Sequence, residues 1–536
     1  MLDRIVTAQA ASEFIRDGDT VIVGGSGGMG IANAVLVELE KRFLETESPR
    51  ALTVIHTTGI GAFTSEGLNR LAHKGLLKRV IGGNFGLQLE FMKRLVVSDE
   101  IEAYNFPQGV ICQLYRAMAA KQPGVITHIG LHTYIDPRQE GGKMNNAATE
   151  ALIEVVTLGG SEYLFYKAPV ANVALIRGTT ADEDGNVSME HEGTTLEALS
   201  VAQAVHNAGG TVICQVKRLA QRGSLHPQMV RIPGCLIDVF VVDENQQQNY
   251  VTSFDPSLCG EVRRPMASLK PGPLNVRRII ARRAAFELTT GAVFNLGAGI
   301  SAGISNVIAE ENMEQLVTST VEAGVFGGIP GEGLYFGSAY NPQAIIDQPY
   351  MFDFYSGGGL DVAFVSFAEV DTVGNVNVTK FGNRNDGAGG FIEITQTAKR
   401  IVFSGTFTGR GLKVDIDGGK LRIAQEGSII KFVPTVNQIS YNGQLGQQKE
   451  QQTTFVTERA VLTGSSEGLV VTEIAPGIRL REDVLDQIGF KPKVLPDLPL
   501  MDSRIFREGR MGIRDALDLD QPVTRPDALQ ENAVQA

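Results

Sequence analysis

The chain has 536 residues, 43% hydrophobic and 20% charged, with 61 glycines and a formal net charge of −12. That length exceeds a single hydrophobic core and calls for roughly two to four domains, and the composition is that of a globular α/β enzyme rich in tight turns, which excludes disordered and fibrous classes. The acidic balance excludes nucleic acid and anionic membrane as main partners, although loop amides and helix N-termini can still hold an anionic small molecule.

The first residues lack an apolar signal core, and no uncharged apolar run approaches the ~18 residues of a membrane span. The expected location is therefore cytoplasmic. Residues 19–23 read as a strand, Gly24-Gly-Ser-Gly-Gly-Met-Gly30 as a loop, 32–44 as an amphipathic helix and 52–56 as a second strand. Arg79-Val-Ile-Gly-Gly83 and Ile126-Thr-His-Ile-Gly130 repeat the grammar of strand then glycine, which brings backbone close to a helix or a ligand.

Between Phe254 and Arg278 the periodicity lapses into Asp-Pro-Ser, Arg-Arg-Pro and Leu-Lys-Pro-Gly-Pro, a connector by its fixed φ angles and missing donors. The main boundary is placed at residue 272. The expected organisation is a domain over 1–272, a second over 273–520 and a loose tail over 521–536.

Beyond the boundary, residues 277–290 read as a helix stopped by Gly291, followed by a strand at 292–296, the loop Gly297-Ala-Gly299-Ile-Ser301, a helix over about 301–311 and a strand at 317–321. Strand, glycine loop, helix, strand thus occurs twice. Laying Leu52-Thr-Val-Ile-His-Thr-Thr-Gly59 over Val317-Thr-Ser-Thr-Val-Glu-Ala-Gly324 puts Thr57 opposite Glu322, so only the second copy carries an acid. Further on, residues 459–462 and 468–473 read as a hairpin.

Both loops match dinucleotide fingerprints, Gly25-Ser-Gly27-Gly-Met-Gly30 as GxGxxG and Gly297-Ala-Gly299-Ile-Ser-Ala302 as its GxGxxA variant. The first lacks the ribose-binding acid. The second has one, because Glu322 lies 20 residues after Ala302, so an NAD-dependent oxidoreductase with Glu322 on the ribose is the alternative reading. Against it, Glu322-Ala-Gly324 and Gly327-Gly328 leave the backbone bare beside the acid. Bare backbone admits a bulky reacting group and offers amides to an oxyanion, which favours a nucleophilic carboxylate.

Six ordered motifs resemble the family I CoA-transferases of the single-chain bacterial acetate or propionate type, and more distantly the succinyl-CoA:3-oxoacid CoA-transferases. They are Tyr104-Asn-Phe-Pro-Gln-Gly109; His132-Thr-Tyr-Ile-Asp-Pro-Arg138 with Gly141-Gly-Lys143; Thr320-Val-Glu-Ala-Gly324 with Gly327-Gly328; Phe352-Asp-Phe-Tyr-Ser-Gly-Gly-Gly-Leu-Asp361; Gly374-Asn-Val-Asn377; and Thr472-Glu-Ile-Ala-Pro-Gly477.

The resemblance implies two tandem open-sheet α/β domains of CoA-transferase type, related by an approximate internal repeat. It implies Glu322 as the nucleophile that forms a glutamyl-CoA thioester, and CoA binding by Gly297, Ala298, Gly299, Ile300 and Ser301. It also implies Gly389 against the CoA chain, with Gln108 and Gly25 on the acyl or oxyanion side.

CoA is then substrate and covalent intermediate, exchanged with a small carboxylate such as acetate, propionate or butyrate, with no permanently bound cofactor. The resemblance further implies a homo-oligomer, a tetramer. No metal is expected, since the seven histidines show neither HExxH nor paired spacing. The four cysteines have neither metal-ligand nor disulfide-framework spacing.

Overall fold

The computed structural model describes residues 2–63, 65–265, 272–382 and 384–515; the expected tail at 521–536 lies outside the described residues. Two open sheets organise the chain. The first has eight strands in the order Ile5–Val6, Val239–Val242, Thr211–Val216, Val173–Arg177, Thr20–Val23, Leu52–His56, Leu77–Gly82 and Glu102–Asn105. All neighbours in it are parallel. Val173–Arg177 is buried along its whole length, as a central strand of a sheet covered on both faces must be.

The second sheet has ten strands. Its central five, Gln452–Val456, Arg400–Ser404, Val362–Ser366, Val293–Leu296 and Thr318–Val321, run parallel in that spatial order. Short antiparallel strands Val325–Phe326 and Ala344–Ile345 extend one side. The hairpin Ala460–Ser465 and Gly468–Ile474 extends the other, close to its expected position.

The internal repeat is visible in topology and in register. Both sheets run last, fourth, third, first, second among their five matching parallel strands. The Gly24 amide donates to the Leu175 carbonyl at 2.9 Å, and the Gly297 amide donates to the Phe364 carbonyl at 2.8 Å. Ile22 pairs with Ile55 in the first sheet, and Asn295 pairs with Thr320 in the second. Counting two residues on from each pair sets Gly24 beside Thr57 and Gly297 beside Glu322. In each sheet the strand order reverses just outside the glycine loop, where open α/β sheets bind ligands.

Element boundaries differ in instructive places. The helix expected over 277–290 is α-helical only at Val276–Ala285. Its last amides at Phe286, Glu287 and Leu288 reach back three residues, so the end tightens into a 3₁₀-type turn that tucks Leu288 into the core. The helix expected from about 301 opens with one such turn, Ser301–Gly303, before the α-helix Ile304–Glu310.

Residues 386–390 of the second half are stitched onto the carboxyl edge of the first sheet. Phe85 donates to the Asp386 carbonyl at 2.7 Å, Gly389 to the Gly83 carbonyl at 2.7 Å, and Gln108 to the Gly389 carbonyl at 3.0 Å. The Ala388 amide donates to Asn105 Oδ1 at 3.0 Å. The carboxyl edges of both sheets therefore open on one interface.

Candidate active site

Glu322 occupies the turn between strands Thr318–Val321 and Val325–Phe326. The Gly324 amide closes that turn on the Val321 carbonyl at 2.9 Å, and the Gly327 amide donates to the Ser319 carbonyl at 2.7 Å. Gly324 has φ +109°, and a Cβ there would stand 2.0 Å from the Ile346 carbonyl oxygen; one at Gly328 would stand 2.2 Å from the Tyr340 carbonyl oxygen. The backbone beside Glu322 is therefore not bare toward a ligand, contrary to expectation. The glycines after Glu322 serve close packing of the hairpin, and the amides of Gly324 and Gly327 are engaged inside it.

Glu322 is half-buried, its carboxyl deeply set, and no hydrogen bond or ion pair holds its side chain among the described residues. Loss of hydration alone pushes its carboxyl up to about 7. Beneath it, Tyr355 donates to Thr320 Oγ1 at 2.8 Å, and Asn295 Nδ2 donates to the Tyr355 hydroxyl at 3.0 Å. These bonds engage the Tyr355 hydroxyl with its neighbours and not with the carboxylate, while Asn295 Oδ1 stays buried without a partner.

Two further buried carboxyls border this interface, and neither announced itself in the sequence. Glu393, two residues into the helix Phe391–Thr397, accepts from the Val110 amide at 3.1 Å through Oε1, while Oε2 has no partner. It thereby caps, from the other half of the chain, the helix Gln108–Ala119, which lacks a side-chain cap of its own. Burial above all, with a small contribution from the Glu322 charge, pushes Glu393 up to about 8. Its position just after Gly387-Ala-Gly-Gly390 is the only sequence signal.

Glu197 is 1% exposed with neither oxygen hydrogen-bonded. Burial raises its carboxyl to about 7, moderated by the neighbouring Thr57 hydroxyl and Gly25 amide.

The second glycine loop is tied down by Ser366, whose hydroxyl donates to the Ala298 carbonyl at 3.1 Å and lies 3.2 Å from Ser301 Oγ. Arg277 donates to the Gly299 carbonyl at 2.8 Å. Ala298 and Gly299 are exposed, Gly297 and Ile300 half-buried, and Ser301 fully buried. The loop therefore presents its first four residues, while Ser301 anchors it.

Gln108 and Gly389, expected separately, are brought together. A Cβ on Gly389 would lie 3.5 Å from Gln108 Oε1, and Gln108 Nε2 is buried without a partner. Gly25 accepts from Thr58 Oγ1 at 3.2 Å. Its loop reaches the second half: a Cβ on Gly337 would stand 2.7 Å from Met29 Cε and 3.8 Å from Ala323 Cβ, next to the nucleophile candidate.

Among the described residues no cluster of His, Cys, Asp and Glu suits a metal ion, and no helix is long and apolar enough to cross a membrane. All four cysteines are free.

Comparison with known proteins agrees with this architecture. Residues 5–243 match the family model described as coenzyme A transferase. The chain is 43% identical over 513 residues to acetate CoA-transferase YdiF of Escherichia coli (strain K12), covering 95% of this chain and 96% of that protein. It is 42% identical over 513 residues to caffeate CoA-transferase of Acetobacterium woodii, covering 94% and 98%.

The crystal structure of the acyl-CoA transferase (YdiF) apoenzyme from Escherichia coli O157:H7 superposes with a TM-score of 0.91 at 43% identity, over 95% of this chain and 97% of that one. The same enzyme's thioester complex with CoA gives 0.90 at 42%. The chain belongs to the coenzyme A transferase family. It is an enzyme of that class, which leaves the oxidoreductase reading of the second loop without support.

Proposed function

We propose that this enzyme moves CoA between a short-chain acyl-CoA and a free carboxylate, in two half-reactions that share Glu322. The observation that carries the proposal is the unpartnered, poorly hydrated carboxylate of Glu322 in register with Gly297, whose loop exposes Ala298 and Gly299. A carboxylate freed from hydrogen bonds and water is a better nucleophile than one in solution.

Glu322 attacks the thioester carbonyl, and the C–S bond breaks to give a mixed anhydride and CoA thiolate. The thiolate then attacks the glutamyl carbonyl and expels the donor acid as its carboxylate, leaving a glutamyl-CoA thioester. The acceptor carboxylate reverses both steps. One thioester replaces another, so the exchange consumes no ATP.

Gly297 to Ser301 hold the CoA arm, and Gly389 lies along it. Gln108, with its free Nε2, and the loop of Gly25 line the acyl side. Names of relatives support small acids, with acetate in one and the larger caffeate in another; acetate, propionate and butyrate are the proposed substrates. The thioester complex of the homologous enzyme supports the covalent intermediate. We also place the domain boundary at residue 272 and take the working form as a cytoplasmic homotetramer.

Incubation with acetyl-CoA, without acceptor, tests the mechanism: mass spectrometry should find CoA on the peptide containing Glu322. Turnover without that adduct would refute the glutamyl route.

A further inference from the structure

Lys431 is 9% exposed, and its Nζ sits 4.1 Å from the centroid of the Phe367 ring. Among the described residues it donates to no acceptor and forms no ion pair. The acid whose charge reaches it, Glu458, is already committed: Oε1 accepts from Arg459 Nε at 2.7 Å and Oε2 from the Phe407 amide at 2.9 Å. Burial lowers the lysine only to about 8, so at neutral pH it is an ammonium. A largely buried cation whose one neighbouring acid is already engaged elsewhere is costly, and an anionic ligand relieves that cost.

The fold says where such a ligand comes from. A Cβ on Gly405 would stand 2.8 Å from Lys431 Nζ, so the glycine leaves the ammonium its place at the carboxyl end of Arg400–Ser404. The neighbouring strands are Val362–Ser366, then Val293–Leu296, then Thr318–Val321, all parallel, so their carboxyl ends form one edge. Lys431, Ser366, the loop after Leu296 and Glu322 follow one another along it. Three strand intervals separate Lys431 from Glu322, about 14 Å. A small carboxylate reacting at Glu322 does not span that distance.

We propose that Lys431 is a docking point for the phosphate groups of CoA, at the far end of a path that starts at Glu322 and runs past the loop Gly297 to Ser301. This rests on the CoA-transfer reading above, and adds to it the element that distinguishes CoA from its phosphate-free pantetheine fragment. A charge-assisted contact to phosphate is worth about 1.5–3 kcal/mol, which corresponds to roughly 10- to 100-fold in affinity.

The experiment compares acetyl-CoA with acetyl-pantetheine as donors for wild type, Lys431→Met and Lys431→Arg. Wild-type turnover and the Glu322 adduct report on the underlying reading, independently of the lysine. Lys431→Met should raise KM for acetyl-CoA roughly 10- to 100-fold, leave KM for acetyl-pantetheine unchanged, and be largely rescued by arginine. Equal changes for both donors, or none, would overturn the assignment. Should the methionine variant not fold, wild-type amidination by methyl acetimidate keeps the question open to test: CoA should protect Lys431 and pantetheine should not, and equal protection or none refutes the docking point.

Discussion

Thr57 and Glu322 hold the same register position in the two sheets, each set beside the first glycine of its loop, Gly24 in one and Gly297 in the other. The duplicated scaffold thus offers two similar crevices, and only the second holds an acid at this position, the proposed nucleophile. In the first copy the acid comes instead from Glu197, whose carboxyl lies near Thr57. Replacing Glu322 with Gln should abolish transfer, a loss of at least about a thousandfold, with thermal unfolding little changed. Thr57→Val should retain activity within about fivefold, because it removes a 3.3 Å bond to the Tyr115 hydroxyl and a polar neighbour of Glu197 but no proposed reacting group. Steady-state assays of the two variants check the asymmetry.

Activity should follow the ionisation of Glu322. In the proposed mechanism only the carboxylate attacks, and burial pushes this group up to about 7. Below that pH, kcat/KM for acyl-CoA should fall by about tenfold per unit. A profile flat down to pH 5 would mean that another group limits the free enzyme.

Glu393 should leave its mark on stability. Its folded-state carboxyl is raised to about 8 from an ordinary value of 4.5, so between those limits the unfolded chain loses its proton while the folded one keeps it. Rising pH therefore favours unfolding through this group, and the effect levels off above about 8. Glu393→Gln keeps an acceptor for the Val110 amide and cannot ionise. Its Tm should match wild type near pH 4.5 and exceed it increasingly up to pH 8, as differential scanning across pH would show.

The sequence made local geometry legible and left long-range geometry hidden. Strand 52–56 appears as read, Thr20–Val23 and Thr318–Val321 within a residue, and the Thr57 to Glu322 overlay survives in the register, because a central parallel strand writes itself as a run of apolar and β-branched residues. The glycines beyond Glu322 were misread, since the carbonyls of Ile346 and Tyr340 that exclude a side chain there arrive through the return of the chain. Glu197 and Glu393 were missed for a similar reason. A carboxylate in a sequence looks solvated until folding removes its water.

Two glycines separate packing from ligand contact. At Gly324 an alanine Cβ would meet the Ile346 carbonyl oxygen at 2.0 Å with φ at +109°, so the hairpin must open. The expected cost is about 3 kcal/mol or more, and displacing Glu322 by an ångström should lower kcat roughly a hundredfold. At Gly389, where φ is +55°, the same Cβ has 3.5 Å to Gln108 Oε1 and 3.7 Å to Asn84. Room exists, so Gly389→Ala should cost only the left-handed backbone penalty of about 1–2 kcal/mol. If CoA lies along Gly389, its effect should be a raised KM for acyl-CoA with kcat little changed, whereas Gly324→Ala should lose kcat and Tm together. A Gly389→Ala enzyme with wild-type KM for acyl-CoA would remove that residue from the CoA path while leaving Glu322 untouched.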